Sequence, residues 1–201
     1  MPVLVYLLLL LSSCGIRYLV DPEGPRTPVP LDLFARWFTS PDAILPTWLR
    51  WPLGLAVGLV LGSVASKLLT RWSRLRVMQN LTVVLAEGLS TSKPWMLAAI
   101  AMLGGAAEEV FFRGVLHPWL GIPLSALAFG AVHVRLRRGA WVWPLLSVAF
   151  ALIASAGYEL TGTLLTPIAM HVLVNLASQQ RLGRLAAARE RRPLGGLLRP
   201  P

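Results

Sequence analysis

The sequence predicts an all-α fold, a polytopic membrane bundle of about six transmembrane helices, and three observations predict it. Of 201 residues, 55% are hydrophobic and 14% charged, with a mean hydropathy of +0.63, so something other than water solvates much of the chain. The net charge is nevertheless +10. The excess sits in three short stretches: Lys67, Arg71, Arg74 and Arg76; Arg135, Arg137 and Arg138; and Arg181, Arg184, Arg189, Arg191, Arg192 and Arg199, offset by Glu190. These carry +4, +3 and +5 and leave the rest at −2. Basic clusters between apolar segments follow the positive-inside pattern of a membrane protein. A nucleic-acid surface would interleave such charge with polar and aromatic residues on a soluble fold, and no such patch is evident, so nucleic acid is excluded as a partner. Third, about six apolar segments come close to the roughly 20 residues that a bilayer span needs.

The first span covers about 2–20, through Leu7-Leu8-Leu9-Leu10-Leu11, with Arg17 placed to snorkel at its far end. Cys14 is the single cysteine, so neither an intrachain disulfide nor a cysteine metal site can form. It closes a run, Leu11-Ser12-Ser13-Cys14, that resembles a lipoprotein cleavage box, but no positive charge precedes Arg17 as a secretory leader requires; a cysteine inside a retained span is the expectation. Pro22, Pro25, Pro28, Pro30, Pro41 and Pro46, with Trp37, Trp48 and Trp51, read as an extramembrane loop with interfacial tryptophans and a short amphipathic helix near 31–38. The second span, about 52–69, carries Gly54, Gly58 and Gly62 on one face, which suits close approach of another helix. Residues 77–93 are ambiguous, with an interfacial helix one option. The third span runs about 95–116, the fourth 121–134, the fifth 140–157 and the sixth 163–178, and the Arg-rich tail reads either as an amphipathic helix on anionic lipid or as disordered.

The basic clusters follow spans two, four and six, so they share one side of the membrane. This places both termini in the cytoplasm, in a bacterial inner membrane, with the Pro/Trp-rich loop outside. One domain is expected, divided into N-terminal segments and loop (1–94), a core (95–180) and a basic tail (181–201).

Charged side chains within spans cost about 2.5 to 3.5 kcal/mol each on insertion scales, so each is a functional candidate. The third span contains Glu108, Glu109 and Arg113, the fourth His133, the sixth His171 and Asn175. Glu109 and Arg113 are one turn apart with the acid first, the favourable order for an ion pair, whereas Glu108 points about 100° away and lacks that partner. His171 and Asn175 share a face, and Phe129 stands one turn before His133. Counted from the outer ends of their spans, Glu108, His133 and His171 lie roughly 15, 18 and 12 Å deep, close to one level. His117 beside Pro118 and Trp119 reads as interfacially solvated, and Glu159 as a solvated acid in the turn 158–162.

No Ser–His–Asp order, aspartyl pair or HExxH helix is present. A carboxylate beside a histidine can act as general base on water, and a second histidine with an asparagine amide can donate to the oxyanion of a tetrahedral intermediate. Glu108, His133 and His171 are also three potential zinc ligands, so a zinc hydrolase stays an alternative to the favoured cofactor-free one.

Glu108-Glu109-Val110-Phe111-Phe112-Arg113, Phe129-Gly130-Ala131-Val132-His133 and His171-Val172-Leu173-Val174-Asn175 resemble, in that order, the EExxxR, FxxxH and HxxxN motifs of the CAAX prenyl protease and bacteriocin-processing (CPBP, or ABI) family. The resemblance covers about 95–180. It implies a glutamic-type intramembrane endopeptidase acting on a membrane-associated protein or peptide. Glu108 and His133 would activate water, His171 and Asn175 would form the oxyanion hole, and Glu109 and Arg113 would support them. A non-catalytic binding or immunity protein and a proton or ion carrier are the competing classes; the second lacks the internal repeat usual in transporters.

Overall fold

The computed structural model describes residues 2–20, 39–40, 44–73, 75, 78–79, 94–134 and 140–190. These are helical throughout except for turns and one bridge, Thr39 to Thr163. Helix α1 is Pro2–Val20, α2 Thr47–Trp72 and α3 Pro94–Glu109; a π-helical stretch, Val110–Leu116, joins α3 to α4, His117–Val132; α5 is Val142–Thr161 and α6 Leu165–Glu190. Prolines stand at the first positions of α1 and α3, where the missing N–H costs no helical bond.

Three helical runs are long and apolar enough to cross a membrane: Trp48–Trp72, Trp95–Val132 and Val142–Thr161. The six separate spans expected are therefore not all shown. In α1 the apolar run is only Val3–Arg17, and α6 continues past the expected end at 178 into the basic residues Arg181 and Arg184, which dilute its hydropathy. The third and fourth expected segments lie within one 38-residue helical run. That run is not straight, because Gly121 has φ 69° and ψ 175°, a conformation open to glycine, and Pro118 and Pro123 flank it. At 1.5 Å per residue a straight helix would hold residues 108 and 133 roughly 38 Å apart, yet their side chains approach to 3.7 Å. The chain reverses at Gly121, and the returning arm, about 16 Å long, is too short to span a bilayer by itself.

Glycine spacing sets the packing of α2 on α6. A Cβ added at Gly54 would lie 2.2 Å from the Thr163 Cγ2 atom, at Gly58 2.4 Å from the Thr166 carbonyl oxygen, and at Gly62 3.0 Å from the Met170 carbonyl oxygen. Contacts advance in the same direction along both helices, so α2 and α6 run parallel with backbones nearly touching, as the small-residue face predicted. By the same reasoning α1 runs parallel to α3, since the Tyr6 ring lies against Gly104 and the Arg17 side chain against Gly114.

At one end of the bundle the Ser40 amide donates to the Gly162 carbonyl at 2.9 Å, and Gly162 caps α5 in the left-handed conformation. At the other end Leu69 packs with Val142, Trp143 and Leu146, and Arg181 Nη1 reaches the Leu69 carbonyl at 3.5 Å. Described members of the first and third basic clusters thus share one end.

Two expectations change. Trp48 and Trp51 belong to α2 and not to the preceding loop. Arg17 turns inward against Gly114 of the π-helical stretch and does not extend along lipid. The expected helix at 31–38 and nearly all of 77–93 lie outside the described residues, as does the tail beyond Glu190. The surface is strongly apolar: Leu4, Leu8, Leu11, Val60, Leu124, Leu127 and Leu145 are all more than half exposed, as expected of helices solvated by acyl chains.

Candidate active site

Three motif residues, Arg113, His133 and His171, meet around the ring of a fourth, Phe129. Phe129, buried on α4, contacts the His133 ring at 4.5 Å, the His171 ring at 5.9 Å, Phe112 at 4.9 Å and Phe150 at 6.0 Å, and the Arg113 guanidinium carbon stands 4.9 Å from its centroid. Buried Phe112, Ala126, Phe129 and Ala151 form the apolar core of this region.

The two adjacent glutamates have different surroundings. Glu109 and Arg113 have fully buried side chains and form an ion pair at 2.8 Å, a close charge contact outside hydrogen-bonding alignment. The other oxygen of Glu109 accepts a 2.7 Å hydrogen bond from His171 Nδ1 across helices. Arg113 Nη2 donates to the Ala151 carbonyl of α5 at 2.9 Å. Burying this charge is offset by its partners, and removing one would leave the others uncompensated.

Glu108 is about 15% exposed in its side chain and lies 3.7 Å from His133 Nε2. That Glu108 oxygen, Oε2, is buried and accepts no hydrogen bond. His133 ends α4, and its Nδ1 sits 2.7 Å from the Phe129 carbonyl oxygen. A carbonyl only accepts, so Nδ1 carries a proton, which fixes the ring with its Nε2 toward Glu108. At 3.7 Å the two groups are too far apart for a direct hydrogen bond and close enough to share one water between them.

His171 sits 4.8 Å from the Phe150 ring, with its Nδ1 held by Glu109. Asn175 follows one turn later on α6 and is half-buried; among the described residues its amide makes no hydrogen bond. No group of three His, Cys, Asp or Glu side chains among the described residues converges to hold a metal. Glu108, His133 and His171 therefore do not form a ready zinc ligand set.

Residues of α5 that carry no motif also build the site. Trp143 meets the His133 ring at 6.0 Å, and Phe150 and the Ala151 carbonyl meet His171 and Arg113. Trp143, Ser147, Phe150 and Ala154 recur at helical spacing and mark one face of the segment; spacing alone does not tell a site face from a lipid face.

His117 and Glu159 are corrected as well. His117 is buried, its Nε2 lies 3.1 Å from Glu159 Oε1, and its ring packs edge-on against Tyr158 at 5.9 Å. Glu159 belongs to α5, half-exposed, and not to a solvated turn. Pairing between the start of α4 and the end of α5 draws His117 inward.

A family model described as type II CAAX prenyl endopeptidase Rce1-like matches residues 90–177, and this segment is an Rce1-like domain of the CPBP family. The chain is also similar to uncharacterized protein YpbD of Bacillus subtilis (strain 168), at 32% identity over 76 residues, which is 38% of this chain and 40% of that relative. The chain thus matches less than half the length of this curated relative. No solved structure matches significantly.

Proposed function

We propose that the Rce1-like domain makes this chain an intramembrane endopeptidase, which hydrolyses a peptide bond of a membrane-associated protein or peptide. The observation that carries this reading is the unpartnered Glu108 Oε2, buried 3.7 Å from a His133 nitrogen whose tautomer is fixed by the Phe129 carbonyl. A water donating one proton to each acceptor would be aimed and polarised for attack. As its oxygen bonds to the peptide carbonyl carbon, one water proton passes to the Glu108–His133 pair and the carbonyl oxygen becomes an oxyanion. Collapse breaks the C–N bond, and the proton goes to the leaving amine.

His171 and Asn175 receive the oxyanion. With Nδ1 committed to Glu109, His171 is left with Nε2 to meet the oxyanion, and the Asn175 amide supplies a second donor. Glu109 and Arg113 position His171 and α5, and Phe129 fixes both histidines.

We further propose six membrane segments, with the short α4 arm counted as one, in a bacterial inner membrane with the basic clusters and both termini cytoplasmic. In the domain scheme, 1–94 brace the core, 95–180 carry the chemistry and 181–201 form the tail. Co-expression with candidate membrane substrates tests the activity. A cleaved product is expected with the wild-type chain and is lost with His133→Ala; cleavage by the variant at an undiminished rate overturns the assignment. Cleavage is also expected to persist in a chelator, and loss on chelation with rescue by zinc would restore the metal-dependent alternative. Protection from a toxin peptide without any cleavage would favour a binding role.

A further inference from the structure

A second site lies at the end of the bundle where the basic clusters meet. Its level in the membrane is set by tryptophans. Exposed Trp48 and Trp72 bound α2, and exposed Trp95 and Trp119 bound the α3–α4 rod; each pair is 24 positions apart, about 35 Å along a helix. That matches a hydrocarbon core of roughly 30 Å with an indole at each interface. Trp141, exposed at the start of α5, joins Trp72 and Trp95 at the same end. Beside Trp72 a cavity of about 700 Å³ is lined by Ser66, Lys67, Thr70, Arg71 and Ser73.

The donors in this cavity are specific. Thr70 and Ser73 hydroxyls donate to the Ser66 and Thr70 carbonyls at 2.8 and 2.5 Å, so they are spent on the helix itself. Ser66 Oγ, by contrast, is buried without a hydrogen-bond partner. Lys67 and Arg71 stand one turn apart, a like-charge spacing that disfavours a helix, and among the described residues neither meets a carboxylate. Arg181 of α6 closes in beside them at the Leu69 carbonyl. Ser66, Lys67 and Arg71 thus line one recess near the Trp72 end of α2, and among the described residues no carboxylate pairs with the two charges.

We propose that this cavity binds the phosphate of an anionic phospholipid, with Lys67 and Arg71 pairing its charge and Ser66 donating to a phosphate oxygen. Basic pockets between helices at an interface are suited to such headgroups. The lipid would sit against the Trp72 end of α2 and act as a bound structural ligand, an inference independent of the proteolytic reading.

The purified full chain, in nanodiscs of phosphatidylcholine with a trace of labelled phosphatidylglycerol, tests this by the label retained on transfer into detergent. Wild type is expected to retain phosphatidylglycerol over labelled phosphatidylcholine, and Lys67→Gln/Arg71→Gln to lose about tenfold or more of that preference. Ser66→Ala, which keeps both charges, is expected to show a smaller loss and reports on the site if the double variant does not fold. Equal retention of the two lipids by wild type, or unchanged preference in folded double and Ser66→Ala variants, overturns the proposal. Displacement of the lipid by millimolar inorganic phosphate would also overturn it, assigning the site to the free ion.

Discussion

Glu108 and Glu109 are identical residues side by side, and their neighbours give them opposite expected phenotypes. Glu109 is locked between Arg113 and His171 with no exposed surface. Replacing it by Gln leaves a buried guanidinium without its counter-ion, expected to cost about 3 to 5 kcal/mol and to lower the unfolding temperature in detergent. Glu108→Gln removes charge from a carboxylate with an unpartnered oxygen, so the melting temperature is expected to hold while cleavage falls by about 10² or more. A melting scan of the two variants separates them, and equal destabilisation would contradict the division of roles. The Glu109–Arg113 pair was legible from one-turn spacing. The bond from Glu109 to His171 was not, because it joins residues 62 positions apart on different helices. Nor was the fixed His133 tautomer, which depends on a local carbonyl that only coordinates reveal.

At the scale of elements, apolar runs and glycine spacing were the readable features. The helix near 121–134 was expected, and Gly121 between two prolines is the turn signal that makes it a returning arm. Its length, and hence its failure to span, follows from geometry that hydropathy does not encode. The π-helical stretch Val110–Leu116 had no sequence mark; it lies directly after both glutamates, the kind of functional position where such stretches recur. The glycine face of α2 was read as a contact face, and α6 is the partner. Gly58→Ala is expected to destabilise by about 1 to 3 kcal/mol, since the new Cβ meets the Thr166 carbonyl. Gly183→Ala, with nothing within 4 Å, is expected to stabilise α6 by up to about 1 kcal/mol. Thermal unfolding of both variants checks the contrast. The part played by α5 stayed hidden because its Trp and Phe residues serve a site face and a lipid face equally well.

On the scale of the whole molecule, charge and hydropathy fixed the class, all-α and membrane-embedded, and a common depth for the polar residues pointed to a single site. His133 and His171 meet the Phe129 ring and Glu108 lies 3.7 Å from His133; at 13 positions from Trp95 and 11 from Trp119, Glu108 is expected near the middle of the membrane. The basic clusters predict sidedness: single cysteines placed after Glu190 in a Cys14→Ser background are expected to label from the cytoplasmic side only, and labelling from outside would reverse the topology. The central claim, that a buried glutamate beside a tautomer-fixed histidine activates water for peptide hydrolysis, is tested most directly by the cleavage rate of a defined membrane substrate by purified wild type and Glu108→Gln in the same bilayer. The account predicts a loss of about 10² or more with the fold retained; a folded Glu108→Gln protein that cleaves at the wild-type rate would contradict it.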